Sequence, residues 1–286
     1  MRKTLKRQPP KGSVKFLYYT RFGSFILKII TRRWISRLAG KFLDSRLSRG
    51  RIKPYIKKHG VNMDNFIDEK YRSFNAFFTR RIKPELRPFD FSPDAFVSPC
   101  DAKLSLFEIK NAEGEGTVFT VKGFTYTVET LLKDSVLAKK FEGGYCFVLR
   151  LSVEDYHRYF YIDQGRQQKS VFIKGRLHTV QPSALERRRV FTENCREYTV
   201  LETERFGTVA QIEVGAMMVG RIVNNHRGEH SFSRGEEKGR FEFGGSTIIL
   251  LTQKGRVVPD EEFLTNTAAD EETFVKCGER IGSAAE

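Results

Sequence analysis

The spacing of hydrophobic residues changes along the chain. Through residues 13–60 apolar positions recur at helical spacing. On a helical wheel Leu27, Ile30, Trp34, Ile35, Leu38 and Phe42 share one face and Arg32, Arg33, Ser36 and Arg37 the other; only Ile29 falls on the wrong side. Residues 1–12, basic and interrupted by Pro9, Pro10 and Gly12, read as a mobile arm. Residues 61–90 predict a further helical stretch, "DEKYRSFNAFFTRRI", with Ser73 capping its second half and Pro84 and Pro88 ending it. From about residue 95 the texture becomes strand-like. "FVSPCDAKLSLFEI", "GTVFTV", "GYCFVLRLS", "RYFYID", "KSVFIKGRLHTV", "EYTVLETERFGTVAQIEVGAMMVGRIV" and "STIILLTQKGRVV" are short runs rich in β-branched and aromatic residues, punctuated at hairpin spacing by Gly, Asp and Pro. One helix is expected near "TVETLLKD", and "FVKCGERIG" returns to a strand pattern after an acidic stretch from Asp260. The predicted class is α+β: N-terminal helices followed by a β-rich, mostly antiparallel core. Residues 1–60 form a basic amphipathic helical segment and residues 61–286 a β-rich domain.

Charge sharpens that division. The 286 residues carry a net +15, but residues 1–60 alone hold 18 Lys and Arg against one acid, Asp44, so the remainder is close to neutral. A basic amphipathic helix with aromatic residues suits the surface of an anionic membrane. The competing reading is a helix that buries its apolar face on the core and leaves its charges in water. Nucleic acid is disfavoured, because no helix-turn-helix, ribonucleoprotein or zinc signature accompanies the basic segment. No secretory signal pattern is expected at the start. The most apolar window, "FGSFILKIITRRWISRL", is broken by Lys28, Arg32, Arg33 and Arg37, far short of the ~20 residues a spanning helix needs. Cys100, Cys146, Cys195 and Cys277 are widely spaced, without metal-ligand spacing, and read as small buried hydrophobes; no metal is expected.

Candidate chemistry lies in four places. "SVEDYHRYFYIDQG" sets Asp155, Tyr156, His157 and Arg158 between two strand-like runs, where catalytic acids and bases tend to lie. "SPCDAKLS" puts Asp101 at a strand entrance, and "KGRLHTVQP" places His178 inside an apparent strand. Each of the three has an ordinary structural explanation when read alone. The fourth, "KGRFEFGGSTIILL", runs Gly244 and Gly245 into Ser246 between two strand-like segments. A bulge is the plain reading. A serine-hydrolase elbow is not, since Thr247 and Ile248 follow Ser246 where G-x-S-x-G would need another glycine.

Together "FEFGGSTIILL", "EDYHRYFYIDQGR", "KGRLHTVQP", "SPCDAKLS", "SFNAFFTRRIKPELRPFD", "FGTVAQIEVGAMMVGRI" and "CGERIG" occur in the order found in phosphatidylserine decarboxylases. The chain resembles that family over roughly residues 60–286, and most the subgroup with Gly-Gly-Ser-Thr at its processing site. The resemblance implies autocatalytic cleavage between Gly245 and Ser246. Residues 1–245 would become a β chain and 246–286 an α chain, held together, with Ser246 converted to a pyruvoyl group, the covalent cofactor. It also implies decarboxylation of phosphatidylserine to phosphatidylethanolamine and CO₂ through that carbonyl. On this reading Gly244 and Gly245 permit the backbone geometry of hydroxyl attack and leave the attacked carbonyl uncrowded.

The family's residue roles transfer unevenly. Asp101 matches the aspartate of the Pro-x-Asp-Gly motif in the self-cleavage triad, with Ala102 in place of the glycine. His157 matches the histidine tied to decarboxylation. Many relatives carry a second histidine three residues later, the base of the triad, and here that position is Phe160. Either His157 serves both steps or His178 fills the missing place from a neighbouring strand; the reading leans to His178. A lipid substrate accounts for the basic segment: residues 13–45 would dock on anionic membrane at the cytoplasmic face, making a peripheral protein. A homo-oligomer is left open. Two alternatives remain at this level: a non-enzymatic membrane-surface adaptor, and a related decarboxylase acting on another amino-acid-linked lipid or a soluble amino acid.

Overall fold

The computed structural model describes residues 2–6, 9–10, 12–112, 116–217 and 221–285. The first fifth of the chain is helical: α1 (Gly12–Tyr19), α2 (Arg21–Ile30), α3 (Arg33–Asp44), a 3-10 segment (Arg46–Arg51) and α4 (Ile52–His59). The single amphipathic helix expected across residues 27–42 is instead two. The break falls at Thr31 and Arg32, where the Thr31 hydroxyl bonds back to the Leu27 carbonyl at 2.7 Å and the Thr31 carbonyl accepts from the Leu177 amide at 3.0 Å. The shared face is thereby divided. Leu27 is buried against Tyr18 and Ala184, while Trp34 and Leu38 are more than half exposed and Phe42 is exposed too. Ile29, out of place on one continuous wheel, joins Phe22 and Phe25 on the outer side of α2.

The core is a ten-stranded antiparallel sheet. In spatial order its main path runs Thr4–Lys6, Glu271–Val275, Ala102–Glu108, Tyr145–Leu151, Ser246–Leu251, Gly207–Gly215, Arg196–Thr203, Gly165–Gln167 and His230–Phe232. The serine strand lies in the middle of that path. Every residue of "STIILL" is buried, as a continuous apolar run predicts for a strand covered on both faces. A three-stranded sheet of Ile222–Asn224, Glu237–Phe241 and Arg158–Phe160 brings the histidine segment near the serine strand. The α+β class and the antiparallel core are as the pattern predicted, as is the helix near "TVETLLKD", at Val128–Leu132. All four cysteines are free and buried.

Three further expectations change. The basic arm is docked: Thr4–Lys6 adds an edge strand, and Arg2 reaches Asp260 at 3.2 Å, Glu279 at 2.5 Å and Glu262. The acidic stretch from Asp260 is what holds it. The helix expected over residues 61–90 shrinks to α5 (Phe74–Phe78), capped by Ser73, whose hydroxyl accepts from the Ala76 amide at 3.2 Å. Chain pairing flanks it, with Ile67 N–H on the Arg81 carbonyl at 2.9 Å, and the rest of the segment is irregular apart from two 3-10 turns, Met63–Asn65 and Pro84–Leu86. Lastly, His178 lies in a loop rather than a strand; its neighbourhood is tied to the core by an isolated bridge between Arg176 and Asn194.

Candidate active site

The Glu237–Phe241 strand leads through residues 242–245 into Ser246. Gly244 has φ of +134°, a region that side chains rarely enter, so a glycine is needed there. Gly245 is different: its φ is ordinary, and an added Cβ would meet the Leu151 carbonyl and Val180 at 3.4 Å, normal contact distance. In the uncut chain the backbone demand therefore falls on the first glycine alone. The approach is fixed by α5. The Asn75 Oδ1 accepts from the Phe243 amide at 3.2 Å, and the Phe243 ring packs edge-on to Phe74 and Phe78 at 5.2 and 5.1 Å. Ser246 pairs in register with Leu151 on one side and Gly215 on the other. Its hydroxyl is fully buried and has no hydrogen-bond partner. Native structures leave few such groups, because each costs about 1–3 kcal/mol.

His157, at the head of the Arg158–Phe160 strand, is also fully buried. Its Nδ1 lies 2.9 Å from the Asp155 carbonyl, which can only accept, so Nδ1 carries the proton and Nε2 offers a lone pair. That Nε2 makes no hydrogen bond of good geometry, and the backbone of Gly244 lies beside the ring. Burial lowers the imidazole pKa from the ordinary 6.5 to about 3, helped by the charges of Arg80 and Lys103 and opposed by the backbones of Asp155 and Gly244. The ring is neutral at physiological pH, stands 4.4 Å from Phe78, and borders the chain two residues before Ser246. The Asp155 carboxylate faces elsewhere, to Lys103 Nζ at 2.5 Å and the Ser152 amide at 2.6 Å. Burial pushes its pKa up, against the pull of Lys103.

The other two candidates are not joined to this pair by any hydrogen bond. Asp101 is held by both donors of the Arg87 fork, at 2.7 and 2.5 Å, and by the Cys277 amide at 2.9 Å. His178 has both ring nitrogens engaged, Nδ1 with the Tyr18 hydroxyl at 3.2 Å and Nε2 with Glu193 at 3.3 Å. That bond is the chief reason the Glu193 carboxyl lies below its usual range. The His178 backbone reaches the serine's neighbourhood indirectly, since Asn194 Nδ2 donates to its carbonyl at 2.9 Å and to that of Gly215 at 2.7 Å. Phe160, in the place of the missing histidine, turns its ring to Phe89 at 5.6 Å. Of the two histidines only His157 keeps a ring nitrogen without a side-chain partner, whereas the sequence leaned to His178.

Several contributors carried no separate signal in the chain. Asn75 and Phe78 lay inside a stretch read only as helix. Lys238 is fully buried with Glu213 at 2.9 Å, and Asn224 and Tyr159 complete the cluster. Burial raises the Glu213 pKa even against Lys238. His226, His230 and Glu236 form a group of metal-ligating types on the far edge of the sheet, despite the lack of a spacing motif. A 2.7 Å bond from His230 to Glu236 and stacking of the two rings account for it without an ion.

The geometry gives an α+β protein with a buried, unpartnered serine at the centre of its sheet, and comparison with known proteins makes the class specific. The sequence profile described as phosphatidylserine decarboxylase matches residues 74–283. A phosphatidylserine decarboxylase proenzyme 2 of Clostridium acetobutylicum is 41% identical over 281 residues, covering 97% of this chain and 94% of its own. Phosphatidylserine decarboxylase proenzymes of Clostridium perfringens and Fusobacterium nucleatum are 39% and 37% identical, covering 91% and 96% of this chain and 88% and 91% of theirs. The chain belongs to the phosphatidylserine decarboxylase family.

Proposed function

We propose that this chain cuts itself at Gly245–Ser246, converts Ser246 into a pyruvoyl group, and decarboxylates phosphatidylserine to phosphatidylethanolamine and CO₂. The observation that carries the reading is the pair of unpartnered buried atoms, Ser246 Oγ and His157 Nε2. A neutral Nε2 accepts the hydroxyl proton as Oγ attacks the Gly245 carbonyl. The proton passes to the Ser246 nitrogen as the C–N bond breaks, leaving an ester. Loss of the Ser246 α-proton and cleavage of its Cβ–Oγ bond free the Gly245 carboxylate, which keeps the oxygen, and leave dehydroalanine. Tautomerisation, uptake of one water and loss of one ammonia complete the group.

The residues present fit a small ketoacyl terminus: it would begin a fully buried strand, bordered by Leu151, Gly215 and Val180. The group supplies an electron-withdrawing carbonyl for an amine substrate, as pyridoxal does elsewhere. The rest falls to the chain. Flanking strands hold the new terminus rigid, the apolar surroundings keep water from the departing carboxylate, and the neutral His157 Nε2 can take a proton from the substrate's ammonium group and return it to the carbon that loses CO₂. Residues 246–286 stay in place after cleavage because strands of the longer piece hydrogen-bond their first strand on both sides.

Docking on anionic membrane by residues 13–45, at the cytoplasmic face, belongs to the same proposal. Support comes from the outer surface of α2 and α3, where Phe22, Phe25, Ile29, Trp34, Leu38 and Phe42 are exposed among basic residues. Among the described residues no helix is long and apolar enough to cross a membrane. The test of the chemistry is a pair of variants. Ser246→Ala is expected to stay uncut, and His157→Gln to cut at least tenfold more slowly. Normal cleavage in His157→Gln, with the fold checked by its melting curve, would remove His157 from the processing step.

A further inference from the structure

On the face of the main sheet to which Ser246 points lies a cavity of about 430 Å³. Side chains alternate across a strand, so directly paired residues share a face. Ser246 pairs with Gly215, and the Gly215 amide bonds to the Cys195 carbonyl at 2.9 Å, placing the three in one row across neighbouring strands. Gly215 and Cys195 both line the cavity. The cavity thus begins one strand spacing, about 4.8 Å, from the serine. A side chain at Gly215 would crowd it, since an added Cβ would lie 3.2 Å from Leu177.

Four arginines surround this space: Arg33 and Arg37 from α3, with Arg221 and Arg227. Arg221 is paired with Glu242 at 2.9 Å and Arg227 with Glu197 at 3.3 Å. Among the described residues neither Arg33 nor Arg37 has a carboxylate partner; Arg33 lies only over the Phe172 ring at 5.1 Å. Two guanidinium groups without carboxylate partners among the described residues therefore stand over a cavity whose wall, at Gly215, pairs directly with Ser246. They share α3 with Trp34, Leu38 and Phe42, which at 100° per residue project from another side of the helix and are exposed. One helix thus carries a cationic face toward the cavity and an apolar face toward its surroundings.

We propose that Arg33 and Arg37, with Arg221 and Arg227 opposite, form the subsite that grips the phosphodiester of the substrate lipid and aims its amine at residue 246. This rests on the decarboxylase reading above and adds the basis of its preference for a phospholipid over free serine. The chemistry selects the phosphodiester rather than the substrate carboxylate. A guanidinium paired with the carboxylate would stabilise it and oppose loss of CO₂, whereas the phosphodiester keeps its charge throughout and is a natural partner for the arginine fork. The acyl chains stay outside, along the apolar face of α3.

The test uses the uncut Ser246→Ala chain, so that binding is read without the prosthetic group. Titration with glycerophosphoserine is expected to show affinity at least tenfold weaker in Arg33→Gln/Arg37→Gln. It should be unchanged in Lys139→Gln/Lys140→Gln, which removes the same charge outside the cavity. Equal affinity in both double variants would overturn the proposal. Inorganic phosphate is expected to bind more weakly than glycerophosphoserine; equal binding, lost in the arginine variant, would overturn the lipid assignment. With Ser246 intact, normal self-cleavage of the arginine variant shows that its core has formed. Its KM for a short-chain phosphatidylserine should then rise while kcat changes little. A parent chain that releases no CO₂ from phosphatidylserine would defeat the decarboxylase reading instead, so the two failures are distinguishable.

Discussion

A hydroxyl and an imidazole nitrogen, each buried without a partner, stand at Ser246 and His157. The histidine makes a pH prediction. Its pKa falls from 6.5 to about 3 on folding, so between those values the unfolded chain binds a proton that the folded chain does not. This contribution to stability is complete above pH 6.5 and is lost as pH falls toward 3, with a slope of at most about 1.4 kcal/mol per pH unit. Denaturant unfolding of Ser246→Ala across that range should show the slope, and His157→Asn in the same background should flatten it. An unchanged slope would mean that the ring is solvated. The residue scale is also where sequence reasoning was weakest. Asp101, His157 and His178 were all legible as candidates, but one chain without its contacts cannot show that Arg87, fourteen positions away, occupies the Asp101 carboxylate, or that Tyr18 and Glu193 engage the His178 ring.

Among elements, the buried charge between sheets ties the small sheet to the large one. Removing one partner of a fully buried pair leaves the other uncompensated, so Lys238→Met is expected to cost about 3–5 kcal/mol, read by denaturant unfolding of the uncut chain. Adding Glu213→Leu should recover much of the loss; no recovery would place the effect in packing rather than charge. The outer faces of α2 and α3 carry a second prediction. Trp34 fluorescence should shift to the blue on anionic vesicles, and Phe22→Ser/Phe25→Ser or high salt should weaken that binding. Partitioning indifferent to both would contradict the docking proposal. Strands were legible because burial on both faces leaves a continuous apolar run, as in "STIILL". The division of α2 from α3 was not, because the apolar period continues through Thr31 and the break depends on a contact with Leu177, far along the chain. The short α5 was missed for a related reason: its three phenylalanines fit a long helix until the chain pairing around it is known.

For the molecule as a whole, the sheet order decides what cleavage would do. The piece 246–286 would contribute the serine strand at the centre and Glu271–Val275 nearer one edge, each flanked by strands of the longer piece. Two chains should therefore remain one particle in native solution and separate only on denaturation. The basic segment that the sequence sets ahead of a near-neutral domain places the arginines of α3 beside the cavity walled by Gly215, the strand partner of the serine. The measurement that tests the account most directly is the intact mass of the denatured protein. The account predicts two chains breaking between Gly245 and Ser246, the shorter of 41 residues and blocked at its N-terminus by a pyruvoyl group. A single species at 33.1 kDa, after incubation under native conditions, would contradict it.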